Sequence, residues 1–586
     1  MKGILNRFRK RNIQTNLPHL ILVIFVVAVS VCLITGLFIS HLTLSSSIDK
    51  FYASSNLPNL WIETDKLTAE DEVFLSEYEY SKRYSFERHI VIGNNKYKAR
   101  FIVSDGEVSR PYLVEGEKGK GCYVDYKFID KFNIGINYSV VSFNYTLAGQ
   151  THRLDFKVLG SLALAEDLLV DDECVIFIDE EYFLEKLSVQ FEEISIDDIK
   201  INYNQVLITS DIDDVERSKI KDYFENTSTS NLKFIKSQSE IASFIAVAKE
   251  IEMSEQMLFI FPLLFIVVSI LVIVSAICEL VSRERYNIGL LKSLGIKDSK
   301  ILSNYCGYGV FVCFIGALIG ILVSPLIVPN MTFETYDLLF SLPRDEVKMS
   351  IPVLLIILIF ISALIIGYFS AFFVCFGLTR KTPKECMLEI KKIKKDKRKR
   401  RKKFGMIGSA FKSMQNNLPR TIMSIVGITG CLMLTLMGFG VSGIKPQTMN
   451  AQNIKTFDIF AKVFQLFSII ILLLTVVILI MQIFKEKSKE MAMLRIHGES
   501  YIKIWLALFV EMLIIALISF VLAGIICQPI FIVMLRLFGI NKILFINFAS
   551  YLKTFLIVTF CIIAIAFCAV LKVCKINIVD ATKLSE

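Results

Sequence analysis

Charge is scarce in this chain. Only 21% of its 586 residues are Asp, Glu, Lys or Arg, against 54% hydrophobic, and its mean hydropathy is +0.56. Soluble domains of that total length need a polar skin that so few charges cannot supply. The same numbers exclude a disordered chain. Cysteine is too sparse for a disulfide scaffold, with 13 residues that mostly lie inside apolar runs. His19, His41, His89, His152 and His497 are scattered, and no metal-ligand spacing joins them. No G-x-x-x-x-G-K-[ST], H-E-x-x-H, Cys-x-x-Cys or G-x-S-x-G occurs. The chain is therefore expected to have no catalytic, cofactor-binding or metal site, and no P-loop of its own.

What is present is long apolar runs. A helix needs about 20 such residues to cross a bilayer, and eight stretches qualify: 19–42, 256–280, 305–328, 351–377, 421–443, 462–484, 504–530 and 553–574. The first is too long, and lacks a small-x-small site, for a cleavable signal peptide. Lys and Arg gather in cytoplasmic loops. The run Lys391–Lys403 (KKIKKDKRKRRKK) sets both termini inside. Its simplest role is a topology anchor and linker that touches anionic lipid.

Between the first two spans lies a different composition. Residues 43–255 hold 23 Lys+Arg and 39 Asp+Glu, a net −16, so the rest of the chain is +25. An acidic outer domain over a basic inner face argues against nucleic-acid binding. The region alternates as an α+β domain. Residues 89–104 read as a hairpin turning at Asn94-Asn95, and 138–160 as a second turning at Ala148-Gly149-Gln150. Strands are expected at 174–178, 205–209 and 232–236, with helices from about 180 and from Asp211 to Phe224. From Ser239 a helical pattern enters the second span, broken only by Pro262. As one helix, 239–281 would be a stalk roughly 60 Å long. A break before the membrane is the alternative. Cys122 and Cys174, the outer cysteines, can pair as a disulfide outside the cell, although their spacing gives no geometric warrant.

The chain also repeats itself. Asn16-Leu17-Pro18 precedes the first span and Asn417-Leu418-Pro419 the fifth. Ile288-Gly289-Leu290-Leu291-Lys292-Ser293-Leu294-Gly295 follows the second span, and Met491-Ala492-Met493-Leu494-Arg495-Ile496-His497-Gly498 the sixth. Each copy reads as a short amphipathic helix at the inner surface. Leu291 and Leu494, and Lys292 and Arg495, hold matching places, and Gly295 and Gly498 suit a left-handed C-cap. Such a helix can lie on lipid or fill a partner's groove. The expected fold is a polytopic α-helical membrane protein of eight transmembrane helices. It comprises two parallel four-helix repeats, with an α+β extracytoplasmic domain between helices 1 and 2. The divisions are a cytoplasmic segment 1–18, the first span 19–42, the outer domain 43–255, a first unit 256–378, a basic linker 379–420 and a second unit 421–586.

At the repeated segment a family is recognisable. Arg285-Tyr-Asn-Ile-Gly-Leu-Leu-Lys-Ser-Leu-Gly-Ile296 resembles the signature R-x-x-E-I-G-x-L-K-A-L-G of FtsX-like ABC transporter permeases, which include MacB-like exporters, lipoprotein-releasing permeases and Bce-type permeases. The first copy has Asn287 where the signature has Glu. The second, weaker copy keeps it as Glu490. Lys381-Thr382-Pro383-Lys384-Glu385-Cys386-Met387 resembles the closing motif P-x-E-A-L, with Val579-Asp580-Ala581 a fainter echo. Glu511 sits where relatives often carry an acidic residue early in a span. The outer domain is similar to a MacB-type periplasmic domain in pattern only.

The resemblance implies a separate cytoplasmic ABC ATPase dimer that acts through coupling helices at about 284–296 and 487–499. The residues carried over are Arg285, Ile288, Gly289, Leu291, Lys292 and Gly295, then Glu490, Met491, Leu494, Arg495 and Gly498. It implies a permease subunit in a bacterial cell membrane that exports, extracts or detoxifies an amphipathic substrate of the antimicrobial-peptide or lipid class. A mechanotransmitting scaffold, regulating an outer partner such as a cell-wall hydrolase, is the alternative. Ion-coupled transport is disfavoured because the span interiors are nearly free of charge, with Glu279, Lys462 and Glu511 toward span ends.

Overall fold

The computed structural model describes residues 2–387 apart from 93–94, 133–139, 148–149, 169–173, 191–200, 340–341, 344, 346 and 381. It further describes 408, 411, 414–415, 418–443, 461–478, 481, 498, 500–537 and 545–574. The chain divides into two compact units. One takes Met1–Ser40, Glu255–Thr332 and Pro352–Glu586, and the other His41–Ser254 and Phe333–Ile351. Both divisions near the outer region fall within continuous helices, α1 (Lys2–Ser54) and α6 (Ala242–Arg283).

The first unit is helical. Seven described helices are long and apolar enough to cross a membrane: Leu17–Ser54, Ala242–Cys278, Asp298–Phe333, Val353–Gly377, Thr421–Ser442, Ala461–Ile478 and Trp505–Arg536. A shorter apolar stretch, Phe548–Ile563, lies in the last helix. These belong in order to α1, α6, α8 (Asp298–Leu339), α9 (Val353–Thr379), α11 (Leu418–Ser442), α12 (Ala461–Ile478), α13 (Tyr501–Leu537) and α14 (Phe548–Cys574). Two short helices, α7 (Arg285–Ser293) and α10 (Pro383–Met387), are not spans. Apolar side chains all round give helices in lipid no reason to associate, so contact depends on close packing and buried hydrogen bonds.

Glycine supplies the close packing between α1 and α8. A Cβ on Gly320 would lie 2.6 Å from the Ala28 carbonyl oxygen and 2.9 Å from Val31 Cβ, and one on Gly316 2.8 Å from Val27 Cβ. Hydroxyls add Ser269 donating to Ser30 across α6 and α1 (2.6 Å), and Thr332 to Ser40 across α8 and α1 (2.9 Å). Among the later helices, α13 meets α11 through Ser519 and the Ile425 carbonyl (3.2 Å), and α14 meets α11 through Ser550 and the Phe439 carbonyl (3.0 Å). Phe464 of α12 packs on Phe261 and Phe265 of α6, with ring centroids 4.6 and 5.2 Å apart. Gly320→Leu should cost at least about 1–3 kcal/mol, because the backbone of α1 must retreat. A lower detergent melting temperature than wild type, with Leu322→Ala on the exposed side unchanged, is the expected result.

Among the described residues the second unit is built on ten strands: β1 (Leu60–Thr64), β2 (Tyr80–Ile92), β3 (Asn95–Ser104), β4 (Tyr112–Gly116), β5 (Cys122–Asp125), β6 (Val140–Leu147), β7 (Gln150–Ala163), β8 (Cys174–Asp179), β9 (Gln205–Ile208) and β10 (Leu232–Ser237). Their order is β10-β1-β9-β2-β3-β8-β5-β7-β4, with β6 paired to β7. Helices cover two of the cores along it. Leu60, Ile62, Val206 and Ile208 pack with Leu75 of α2 (Ala69–Leu75) and with Ile220 and Phe224 of α5 (Asp214–Asn226). Phe101, Phe156 and Ile176 pack with Phe128 of α3 (Tyr126–Phe132) and Phe183 of α4 (Glu180–Gln190).

Both expected hairpins are present as strand pairs, β2–β3 and β6–β7. Ile92 pairs with Asn95, one residue earlier than the expected Asn94-Asn95 turn, and Leu147 pairs with Gln150. Gly93, Asn94, Ala148 and Gly149 lie outside the described residues. The α5 helix starts at Asp214 rather than Asp211, because Asp213 and Glu216 form a capping box. The helix expected from Ser239 starts at Ala242 and runs to Arg283 with Pro262 inside it. Residues 333–351, between the third and fourth expected spans, belong to this unit. Tyr126 donates to the Leu342 carbonyl (3.0 Å), and the Ser350 amide to Thr43 Oγ1 (3.0 Å).

Candidate functional site

Helix α6 ends at Arg283 and α7 begins two residues later. Glu284 is the N-cap residue, buried, and accepts from Asn287 Nδ2 at 2.6 Å. The far end closes in a Schellman motif: the Ile296 amide donates to the Leu291 carbonyl (3.1 Å) and the Gly295 amide to that of Lys292 (3.0 Å). Gly295 takes φ +78° there, the left-handed region where a side chain would strain the backbone. Gly498 has φ +84° in the second copy.

Helix α7 packs on α10, which the sequence builds as a self-capped turn. The Glu385 amide donates to Thr382 Oγ1 (3.3 Å) and the Thr382 amide to Glu385 Oε2 (3.1 Å), with Pro383 at the first helical position. That arrangement is the physical content of the closing motif. Arg285 donates to the Glu385 carbonyl at 2.5 Å. Gly289 allows the contact: a Cβ there would lie 2.8 Å from Met387 Cγ and 3.1 Å from Cys386 Cβ.

The sequence-derived coupling residues therefore divide. Ile288 and Leu291 are 1% and 5% exposed, Gly289 is buried against α10, and the Lys292 ammonium is held by Asp298 at 3.0 Å. These groups hold the corner together and are covered by it. The outward face is a ridge the sequence reading passed over: Tyr286, Leu290 and Leu294, at 60%, 43% and 65% exposed. Their i, i+4, i+8 spacing marks one helix face. The sequence carried two apolar stripes here, and tertiary packing decides which one is covered. Glu490, Met491, Leu494 and Arg495 lie outside the described residues.

The suggested Cys122–Cys174 disulfide is corrected by the structure, where both are buried free thiols. Cys122 stands opposite Ile178 on β8, four residues along the strand from Cys174. At about 3.3 Å per residue that separation is far beyond disulfide reach. Burial pushes both thiols well above their ordinary range. Among the described residues no group of three or more His, Cys, Asp or Glu could hold a metal ion.

The outer unit holds a buried polar cluster that no sequence motif announced. Arg83 donates to Glu166 through two nitrogens (2.6 and 3.2 Å) and to Gln205 Oε1 (2.7 Å). Trp61 Nε1 donates to the same Glu166 (2.9 Å). The Arg83 guanidinium holds the Glu166 carboxyl below the usual glutamate range against its complete burial. Trp61 also stacks near Phe244, the third residue of α6, whose ring meets Tyr52 of α1 at 5.1 Å. The Leu168 amide donates to Ser243 of α6 at 3.1 Å. Within this unit, the ends of both helices are thus fastened to the sheet beside the buried ion pair.

Two segments, 259–383 and 462–578, match the FtsX-like permease C-terminal family. The first contains α7 and ends at Pro383, the first residue of α10. No curated protein matches the chain. In these two segments the chain is similar to the FtsX-like permeases.

Proposed function

We propose that the chain is the permease subunit of an ATP-binding cassette transporter, with both termini cytoplasmic in a bacterial cell membrane. The carrying observation is the exposed Tyr286–Leu290–Leu294 ridge, mounted on a corner that α10 clamps from behind. A partner that grips the ridge moves α7 as a body rather than peeling it away. Helix α7 lies within the first matched segment, which supports this reading. The partner is a separate cytoplasmic ATPase dimer.

Movement of α7 passes through Glu284 into α6, whose far end at Ser243 and Phe244 is fastened to the outer sheet. The outer unit then acts on an amphipathic substrate of the antimicrobial-peptide or lipid class. The two-half organisation is supported by matching helix pairs. The first and third helices of each half, α1 with α8 and α11 with α13, touch closely. At the repeat offset of 203 the ridge positions become Lys489, Met493 and His497, so the two halves present different surfaces to the ATPases.

Co-purification of the detergent-solubilised chain with ATPases of its own organism tests this reading. One ATPase should be retained, with hydrolysis that changes when the permease is present. Retention of none would sink the proposal. Retention of an ATPase together with an outer hydrolase, without movement of any amphipathic substrate, would replace transport by mechanotransmission.

A further inference from the structure

A cavity of about 300 Å³ lies among α1, α6, α8 and α9, lined by residues such as Val31, Ile34, Pro262, Ile266, Ala363 and Ile366. All of them are in the helical unit, inside stretches apolar enough to span a membrane. Phe259, Leu263 and Ser362 stand exposed on its rim, so it opens on the surface that faces lipid in a bilayer.

We infer that this cavity is a binding site for one hydrocarbon chain of a membrane lipid, held by the chain alone and without its headgroup. The wall chemistry selects the occupant. Ser269 donates to Ser30, Ser30 to the Val26 carbonyl, and Ser362 to the Ile359 carbonyl. Each hydroxyl proton is used inside the protein, so the wall offers neither a phosphate nor a sugar a free hydroxyl donor. Water needs two to four polar partners and finds too few. An empty cavity would forfeit the dispersion contacts of its lining. Size agrees: about 150 Å³ of apolar cavity holds a benzene ring, so this one has room for about a dozen chain carbons.

The position gives the site a consequence. Pro262 has no amide proton, which leaves the Leu258 carbonyl without its helical bond, and both residues line the cavity. A bound chain packs on α6 where its backbone ladder is open. Lipid composition thereby acts on α6 at its proline. This inference is independent of the ATPase reading.

The test uses the full chain in phosphatidylglycerol–phosphatidylethanolamine vesicles doped with phosphatidylglycerol carrying a diazirine near one chain end. Peptides of α6 and α9 that carry Ile266 and Ile366 should be labelled above other lipid-facing peptides. Bilayer hydrocarbon is as apolar as the wall, so the preference comes from packing alone, about tenfold. Ala363→Trp should bring labelling down to the general level, and Leu354→Trp, on the same helix but outside the cavity, should not. Ile266→Trp blocks the cavity from the other wall and serves if Ala363→Trp does not fold. Even labelling of all lipid-facing helices, labelling that survives both fillings, or a protein–protein crosslink at Ile266 in its place would overturn the inference.

Discussion

Leu290→Asp should weaken ATPase binding by about 2 kcal/mol, roughly thirtyfold, while leaving the fold almost untouched. Leu290 stands 43% exposed in the middle of the α7 ridge. Surface changes away from structural contacts usually alter stability by less than about 0.5 kcal/mol, whereas a central apolar anchor in an interface is worth about 2 kcal/mol or more. Leu291→Asp should behave in the opposite way. It puts a carboxylate into a site only 5% exposed, without a partner, and should cost more than about 3 kcal/mol of stability. Melting of the solubilised chain and titration with the ATPase separate the two. An affinity for Leu290→Asp within twofold of wild type would show that the partner does not use this ridge. A stable Leu291→Asp chain would show that this side of α7 is not covered in solution.

A second large effect is expected far from α7. Arg83→Leu strands the Glu166 carboxylate beside Trp61 and Gln205, and breaking a buried ion pair from one side costs about 3–5 kcal/mol. Hydrogen exchange of the β1 and β9 amides in the intact chain should accelerate by about two to four orders of magnitude. Arg83→Leu combined with Glu166→Leu should recover much of the loss, since no buried charge remains. If the single variant exchanges like wild type, the pair contributes nothing to holding the sheet.

The same cluster predicts a pH dependence. Glu166 has a lowered pKa in the folded unit, so its contribution is complete above the ordinary glutamate range and is lost as pH falls through the folded value. Asp125 works in the other direction. Burial, and the nearby Asp167 charge, push its carboxyl up to about 7, although the Lys127 amide donates to it at 2.8 Å. The folded unit then holds a proton that the unfolded chain releases, and stability falls as pH rises from about 4 to 7. Asp125→Asn should flatten that slope and leave the outer unit more stable than wild type at pH 8. An unchanged slope in melting against pH would show that Asp125 titrates normally.

Particular residues show how far the sequence alone carried. Apolar runs of span length can satisfy their backbone in lipid only as helices, and seven of the eight expected spans recur as described helices of that kind. Strand β8 and helix α4 were legible because CVIFI is apolar throughout and an acidic helix start follows it. The β1, β4 and β5 strands were not, since runs of four or five residues carry too little periodicity to stand out. Repetition and the R-x-x-I-G-x-L-K pattern located the α7 corner without any coordinates.

What the sequence could not decide was which side of that corner is covered. Ile288 and Leu291 form one apolar stripe, Tyr286, Leu290 and Leu294 another, and local pattern treats them alike. The answer lies in tertiary packing, to which α10, about a hundred residues away, contributes a capped turn that fits against Gly289. Arg83 and Glu166 were invisible for the same reason: they are 83 residues apart, and only strand order makes them partners. Local chemistry determined the spans, most of the strands and the family resemblance. Long-range packing decided which residues face outward to act, because burial belongs to pairs of elements and not to either one alone.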